Sequence, residues 1–179
     1  MDKFNFTTKL HLACSDDPLR PIMNCVHFTG GFAYASNGHI AIKQSLEYHS
    51  VLQPGLLEGK SIHRDNYKNI MQFETATAND EGVQCSNADG REAFFSYFDM
   101  KGENMPVFDA VFKRYHAAGV TFIGMNPEQM KIIMEAMYTP DGYVRVNFGG
   151  IDKAMILDVP GVPNQEGMVM PVLVEASLF

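Results

Sequence analysis

Polar and apolar residues fall along this chain in short runs punctuated by glycine, asparagine and proline. Pro21 to Phe28 reads as a strand, Thr29-Gly30-Gly31 as a hairpin turn, and Phe32 to Ser36 as the returning strand. Ser36-Asn37-Gly38 is a second tight turn, because Asn and Gly tolerate the positive φ such turns need. It leads into a strand from His39 to Gln44. Ahead of these, residues 4–13 have room for a strand but hardly for a strand and a full helix, and Ser15 to Pro18 is a turn. Residues 47–60, with Pro54, Gly55 and Gly59, read as a connection.

Two further units follow. In the second, Lys60-Ser61-Ile62 leads into a helical pattern over Arg64 to Phe73, where Tyr67, Ile70 and Met71 share a face. Val83 to Cys85 and Glu92 to Phe98 are strands around the turn Asn87-Ala88-Asp89-Gly90, and Lys101 to Pro106 is again a loop. In the third, Val120 to Ile123 is a strand, and Asn126-Pro127-Glu128-Gln129 carries the marks of a helix start: an Asn cap, Pro in the first helical position and an acid in the first turn. Met130, Ile133, Met134 and Met137 form the apolar stripe. Tyr143 to Phe148, Ala154 to Val159 and Met168 to Glu175 are its strands. The chain thus repeats strand, helix and three strands with a period of roughly 60 residues. The predicted fold class is α+β, about three such units, with antiparallel sheets and helices on one side.

Composition narrows the function. A chain of 179 residues, 46% hydrophobic and 20% charged, is an ordinary folded domain with length for a sizeable core. No apolar run approaches the roughly 20 residues of a membrane helix, and Met1-Asp2-Lys3-Phe4 has no apolar leader core. The expectation is a cytoplasmic protein with no membrane partner. The net charge of −7 excludes nucleic-acid binding through the average surface, so any such contact needs a local basic stripe. Cys14, Cys25 and Cys85 make no Cys-x-x-Cys pair, which gives neither a disulfide framework nor a zinc site. Cys25 and Cys85 read as small core residues.

One constellation raises catalysis: His11, Cys14 and Asp16 are close in sequence, the composition of a Cys–His nucleophile. Adjacency is not a triad, and no Gly-x-Ser-x-Gly, His-Glu-x-x-His or phosphate-loop motif accompanies it. Gly30-Gly31 and Gly149-Gly150 precede strands and not helices. The expectation is a non-catalytic protein without cofactor or metal.

Several segments, in order, carry a family resemblance. Asp17-Pro18-Leu19-Arg20-Pro21-Ile22-Met23-Asn24 and Ala35-Ser36-Asn37-Gly38-His39-Ile40-Ala41 resemble the middle domain of the bacterial DNA sliding clamp, the β subunit of the replicative polymerase. The family's second motif usually reads Ala-Thr-Asp-Gly-His-Arg-Leu. Met105-Pro106-Val107-Phe108 resembles the Phe-Pro-Asp-Tyr that ends that domain, and Val169-Met170-Pro171-Val172 resembles the Met-Pro motif of the last strand. Ile123-Gly124-Met125-Asn126 with the amphipathic helix after it is similar to the second half of the last domain. The resemblance runs through most of residues 10–175. The chain departs from it in having about three units where the family has six, a truncated first helix, and Ile40 where the family has Arg.

The resemblance implies a shortened, DNA-clamp-like protein: residues 1–115 as a domain of two units and residues 116–179 as a third. It implies a tethering or processivity role on double-stranded DNA, with polymerase or repair proteins as clients. The implied peptide pocket comprises Ser36, Asn37, Gly38, His39 and Ile40 with Val169, Met170, Pro171 and Val172, since Met and Ile suit an adaptable apolar groove. Plain core packing of a last strand is the competing reading of those residues. Arg64 and Lys68, four apart on one helix face, and Lys131 are the implied DNA-facing cations; a solvated helix face is the plain alternative. An unpaired third unit implies a homo-oligomer, a dimer or a tetramer. The ending Ser177-Leu178-Phe179 resembles the closing half of the family's client peptides, Gln-Leu-Ser/Asp-Leu-Phe, and would reach a neighbouring chain's pocket. The alternative function is a protein-interaction module on the same fold that no longer encircles DNA.

Overall fold

The computed structural model describes residues 8–108, 110, 112, 119 and 123–173. Its first unit contains β1 (Cys25–Thr29), β2 (Phe32–Ser36) and β3 (Ile40–Ser45), followed by the short β4 (Val51–Leu52). The second contains β5 (Ser61–His63), α1 (Arg64–Ile70), β6 (Thr75–Ala78), β7 (Gly82–Ser86) and β8 (Glu92–Ser96). The third contains α2 (Pro127–Ala136), β9 (Arg145–Asn147), β10 (Met155–Val159) and β11 (Val162–Val169). The second unit is strand, helix and three strands. In the first, a single 3-10 turn at Leu10–Leu12 stands where a helix would be. The strand expected at Val120 to Ile123 lies mostly outside the described residues.

Local chemistry accounts for most of these elements. Gly30 and Gly31 both have positive φ, 59° and 78°, which the two-residue turn between β1 and β2 requires. Asn126 caps α2: its side-chain oxygen accepts from the Glu128 and Gln129 amides. Four boundaries differ from the sequence reading. Pro21–Asn24 is a 3-10 turn, and the strand begins only at Cys25, because Pro21 starts a tight turn as readily as an extended run. The helix from Arg64 stops at Ile70 instead of Phe73. Thr75–Ala78 forms a strand in a stretch without an apolar stripe, where Ala76 and Ala78 alone face inward. The last strand runs Val162–Val169, not Met168 to Glu175. Its inward positions include Gln165 and Gly167, so its alternation is invisible to a hydrophobic pattern.

Seven strands form one sheet in the order β5-β1-β2-β3-β11-β10-β9, every neighbour antiparallel. The other sheet runs β4-β6-β7-β8, with β4 parallel to β6 and the other pairs antiparallel. Strands from both sides of residue 115 meet in the larger sheet at β3 and β11. One core cluster joins Ile40, Ile42, Leu157 and Val169 of that sheet to Tyr67 and Ile70 of α1 and to Ile133 and Ala136 of α2. Leu10, in the 3-10 turn, is fully buried in the same cluster, worth about 1.5–3 kcal/mol for one side chain. The opposite face of the sheet carries a smaller cluster, in which Tyr34, Ala41, Ile156 and Met168 lie under Phe108 and Phe112. We refer to this as the outer face.

Gly167 lets α2 approach the sheet. A Cβ there would sit 2.6 Å from Met137 Sδ and 2.9 Å from Ile133 Cδ1. Gly167→Ala is expected to destabilise the fold by about 1–3 kcal/mol, as overpacking does. A urea denaturation midpoint equal to that of the unsubstituted protein would show that the Met137 and Ile133 side chains give way without cost.

Three buried histidines are held neutral. His27 donates from Nε2 to the Ile22 carbonyl at 2.9 Å and accepts at Nδ1 from the Ser61 hydroxyl at 2.8 Å. Burial pushes it down to about 4, with the Ile22 carbonyl opposing. His49, beside the Tyr67 hydroxyl at 3.0 Å, is pushed by burial to about 4. His11 falls to about 4 through burial first and then the nearby charges of Lys68, Arg64 and Lys9, with Glu135 opposing. A folded pKa below the unfolded value near 6.5 means that the unfolded chain takes the proton first. Stability is therefore complete above about pH 6.5 and falls as pH drops toward 4, by up to about 1.4 kcal/mol per pH unit for each histidine. Urea midpoints at pH 7, 6 and 5 should fall in that order, and less steeply in His11→Gln. A flat profile would contradict neutral buried imidazoles.

Candidate functional site

The Ser36-Asn37-Gly38 turn is rigid because its own side chains take up its backbone hydrogen bonds. Asn37 Oδ1 accepts from the His39 amide at 2.9 Å and the Ile40 amide at 3.0 Å. The Ser36 hydroxyl donates to the Ile40 carbonyl at 2.8 Å and accepts from the Gly38 amide at 3.1 Å. Gly38 has a φ of 90°, which a side chain would oppose. The Asn37 amide group donates to Gln129 Oε1 at 3.1 Å, fixing the turn to the first part of α2.

Beside the turn runs the end of β11. The Met170 amide donates to the His39 carbonyl at 2.8 Å, and Val172 pairs with Gly124. On the outer face these two stretches border a cavity of about 460 Å³. Ser36 and Gly38 line one side, Met168 and Met170 another, and Pro106 and Phe108 a third, with Met23 and Ala154 also in the wall. Three flexible thioethers and an aromatic ring make a surface that adapts to an apolar side chain. Asp152 and Lys153, 3.0 Å apart, supply a polar edge.

Of the nine sequence-predicted pocket residues, Ser36, Gly38 and Met170 line this cavity. Ile40 and Val169 are fully buried in the helix-side core, on the opposite face of their strands. Asn37 shapes the turn; His39 and Val172 are exposed and Pro171 half-buried, none of them in the cavity wall. Strand alternation separates these sets: if Met170 faces outward, Met168 does too and Val169 does not. That rule would have found Met168. Met23 and Phe108 have no comparable signal, since they arrive from distant segments. Ser177, Leu178 and Phe179 lie outside the described residues.

The helix side carries the cations. Lys68 and Lys131 are exposed, whereas Arg64 is half-buried and donates from Nη1 to the Ser15 carbonyl at 2.9 Å. Lys9, which the sequence reading passed over, joins Arg64 and Lys68 around His11 and lies 3.6 Å from Glu135. Cys14 does not form a nucleophile with His11. It is buried, its thiol donates to the Leu10 carbonyl at 3.8 Å, and burial raises its pKa, so the thiolate is suppressed. Among the described residues no cluster of His, Cys, Asp and Glu could hold a metal, and no helix is long and apolar enough to cross a membrane.

No family model matches the chain, and no curated protein matches it. Solved structures do. Caulobacter crescentus pol III beta superposes with a TM-score of 0.72 at 14% identity, over 93% of this chain and 62% of that one. The DNA polymerase III subunit beta of Borrelia burgdorferi, solved with a natural product, gives 0.69 at 10% identity, over 93% and 61%. The Thermotoga maritima beta subunit gives 0.63 at 10% identity, over 98% and 68%. The chain thus spans about three fifths to two thirds of the length of these clamps. The antiparallel sheets, the helices gathered on one side and these superpositions together give one conclusion: this chain has the fold of the bacterial DNA polymerase III β sliding clamp over the part of that protein it matches.

Proposed function

We propose that this chain is a clamp-like tether whose outer-face cavity, between the Gly38 turn and Met168–Met170, receives an apolar peptide from a polymerase or repair protein. The cavity carries the reading: it is apolar, adaptable, held by a rigid turn, and set on a fold that solved sliding clamps share. The role is processivity or tethering on double-stranded DNA in the cytoplasm, without catalysis or cofactor. Lys68 and Lys131, with Lys9 and Arg64 nearby or alongside on the helix side, are the phosphate-facing charges. Such contacts are weak and carry no base readout, as sliding requires. Residues 1–115 are a clamp-like domain of two units and residues 116–179 a third unit, a division compatible with the pairing of β3 with β11. A ring needs more than one copy, a dimer or a tetramer, and Ser177 to Phe179 is a client-like tail for a neighbouring cavity.

A second reading is supported by one observation. Two of the four cations are already engaged, Arg64 with the Ser15 carbonyl and Lys9 with Glu135, on a chain of net charge −7. That favours an interaction module that binds peptides and does not encircle DNA.

Two measurements test these readings: one probes the cavity that both share, the other the DNA contact that separates them. Met170 is 41% exposed, so Met170→Asp should leave the melting temperature unchanged while weakening a labelled Gln-Leu-Ser-Leu-Phe peptide by about tenfold, because a charge would enter an apolar wall. Equal affinity in both proteins would remove the cavity from peptide binding. For DNA, Lys68→Glu with Lys131→Glu changes only exposed groups. Filter binding to nicked circular DNA at low salt should fall in this double variant if the tether holds DNA. No retention by either protein would leave the interaction-module reading.

A further inference from the structure

The outer face carries more than the cavity at Gly38. Strand register sets Arg145, Asp158, Glu166, Lys43 and Tyr34 directly opposite one another across β9, β10, β11, β3 and β2. Arg145 and Asp158 pair at 2.8 Å. Lys43 does not pair with Glu166 across from it. Its ammonium leans over β2 instead, 4.2 Å from the Phe32 ring centroid and 6.0 Å from that of Tyr34. Among the described residues Lys43 has no ion pair. It is a half-buried cation resting on aromatic faces in an acidic protein.

Lys43 and Phe32 border two cavities of about 450 and 470 Å³. Tyr34, Pro106 and Phe108 also line the first of these. Pro106 and Phe108 are at the same time walls of the Gly38 cavity, and Phe108 stacks on Tyr34 at 4.6 Å. Among the described residues, the Pro106–Phe108 crossing is what separates the two sites. Along β3 from Gly38 to Lys43 is about 17 Å at about 3.3 Å per residue, a span that five or six extended residues cover.

We propose that a peptide seated at Gly38 continues past Pro106 and Phe108 and sets an acidic side chain on Lys43. Lys43, Phe32 and Tyr34 then form a second subsite, specific for a carboxylate. The carboxylate gains the ammonium that Glu166 does not hold, and the Phe32 ring supports the lysine stem from below. This inference rests on the peptide reading of the Gly38 cavity.

The test uses fluorescence anisotropy with labelled Gln-Leu-Ser-Leu-Phe, alone and with a six-residue Ala/Ser extension at either end whose last residue is Glu or Gln. Titrations are made on the full chain and on Lys43→Met and Lys43→Arg. On the unsubstituted protein one of the two Glu-extended peptides should bind about three- to fivefold tighter than its Gln counterpart. The ratio should persist in Lys43→Arg, fall to about one in Lys43→Met, and shrink as salt rises. Binding of the short peptide with a Glu/Gln ratio near one at both ends overturns the Lys43 subsite and leaves the Gly38 pocket standing. A ratio that survives in Lys43→Met also overturns it. No binding by any peptide overturns the pocket, and the subsite with it.

Discussion

The pairing of β3 with β11 is the constraint on which the rest depends. Five residue pairs, from Ile40 with Val169 to Gln44 with Gln165, join the C-terminal hairpin to the N-terminal strands. Without that seam the seven-stranded sheet would be two smaller ones. Ile40, Ile42 and Val169 would lose their neighbours on the helix side, and Ala41 and Met168 theirs on the outer face. The cavity is a product of the same seam, since its Gly38 and Met170 walls stand on the two strands it joins.

Register at the seam is held by a buried polar network as well as by apolar contact. Gln165 donates to the Tyr138 carbonyl at 3.0 Å and accepts from the Tyr138 amide at 3.0 Å. Thr8 donates to Gln165 Oε1 at 2.7 Å, and Gln44 donates to Thr8. A slip of one residue would turn these amides to the wrong face and leave buried polar groups unpaired, at a cost of about 1–3 kcal/mol each. The network also ties the residues after α2 to β11, so the helix is located by polar contacts at its end and by close packing on Gly167.

The two faces of the sheet have separate chemistry. The helix side holds the large core and, at its surface, the cations around His11. The outer side holds the small aromatic and methionine cluster, three cavities and the charged row ending at Lys43. A protein that held a polyanion on one side and peptides on the other would need this division, because apolar grooves and phosphate contacts make opposite demands on a surface.

The sequence by itself determined the elements whose causes are local. The Gly30-Gly31 turn, the Asn126 cap, the α2 stripe and the strand-helix-strand order of the second unit are set by backbone preferences and by periodicity within a few residues. It also marked the Gly38 turn and Met170 as neighbours through motif resemblance. Only the tertiary structure decided what depends on distant segments meeting. β5 leaves its own unit to pair with β1, β11 extends through polar Gln165 and Gly167, and Phe108 and Met23 complete the cavity wall. It also decided that Ile40 and Val169 turn into the core, because strand geometry alternates faces and the register, fixed by contacts many residues away, chooses which face is buried.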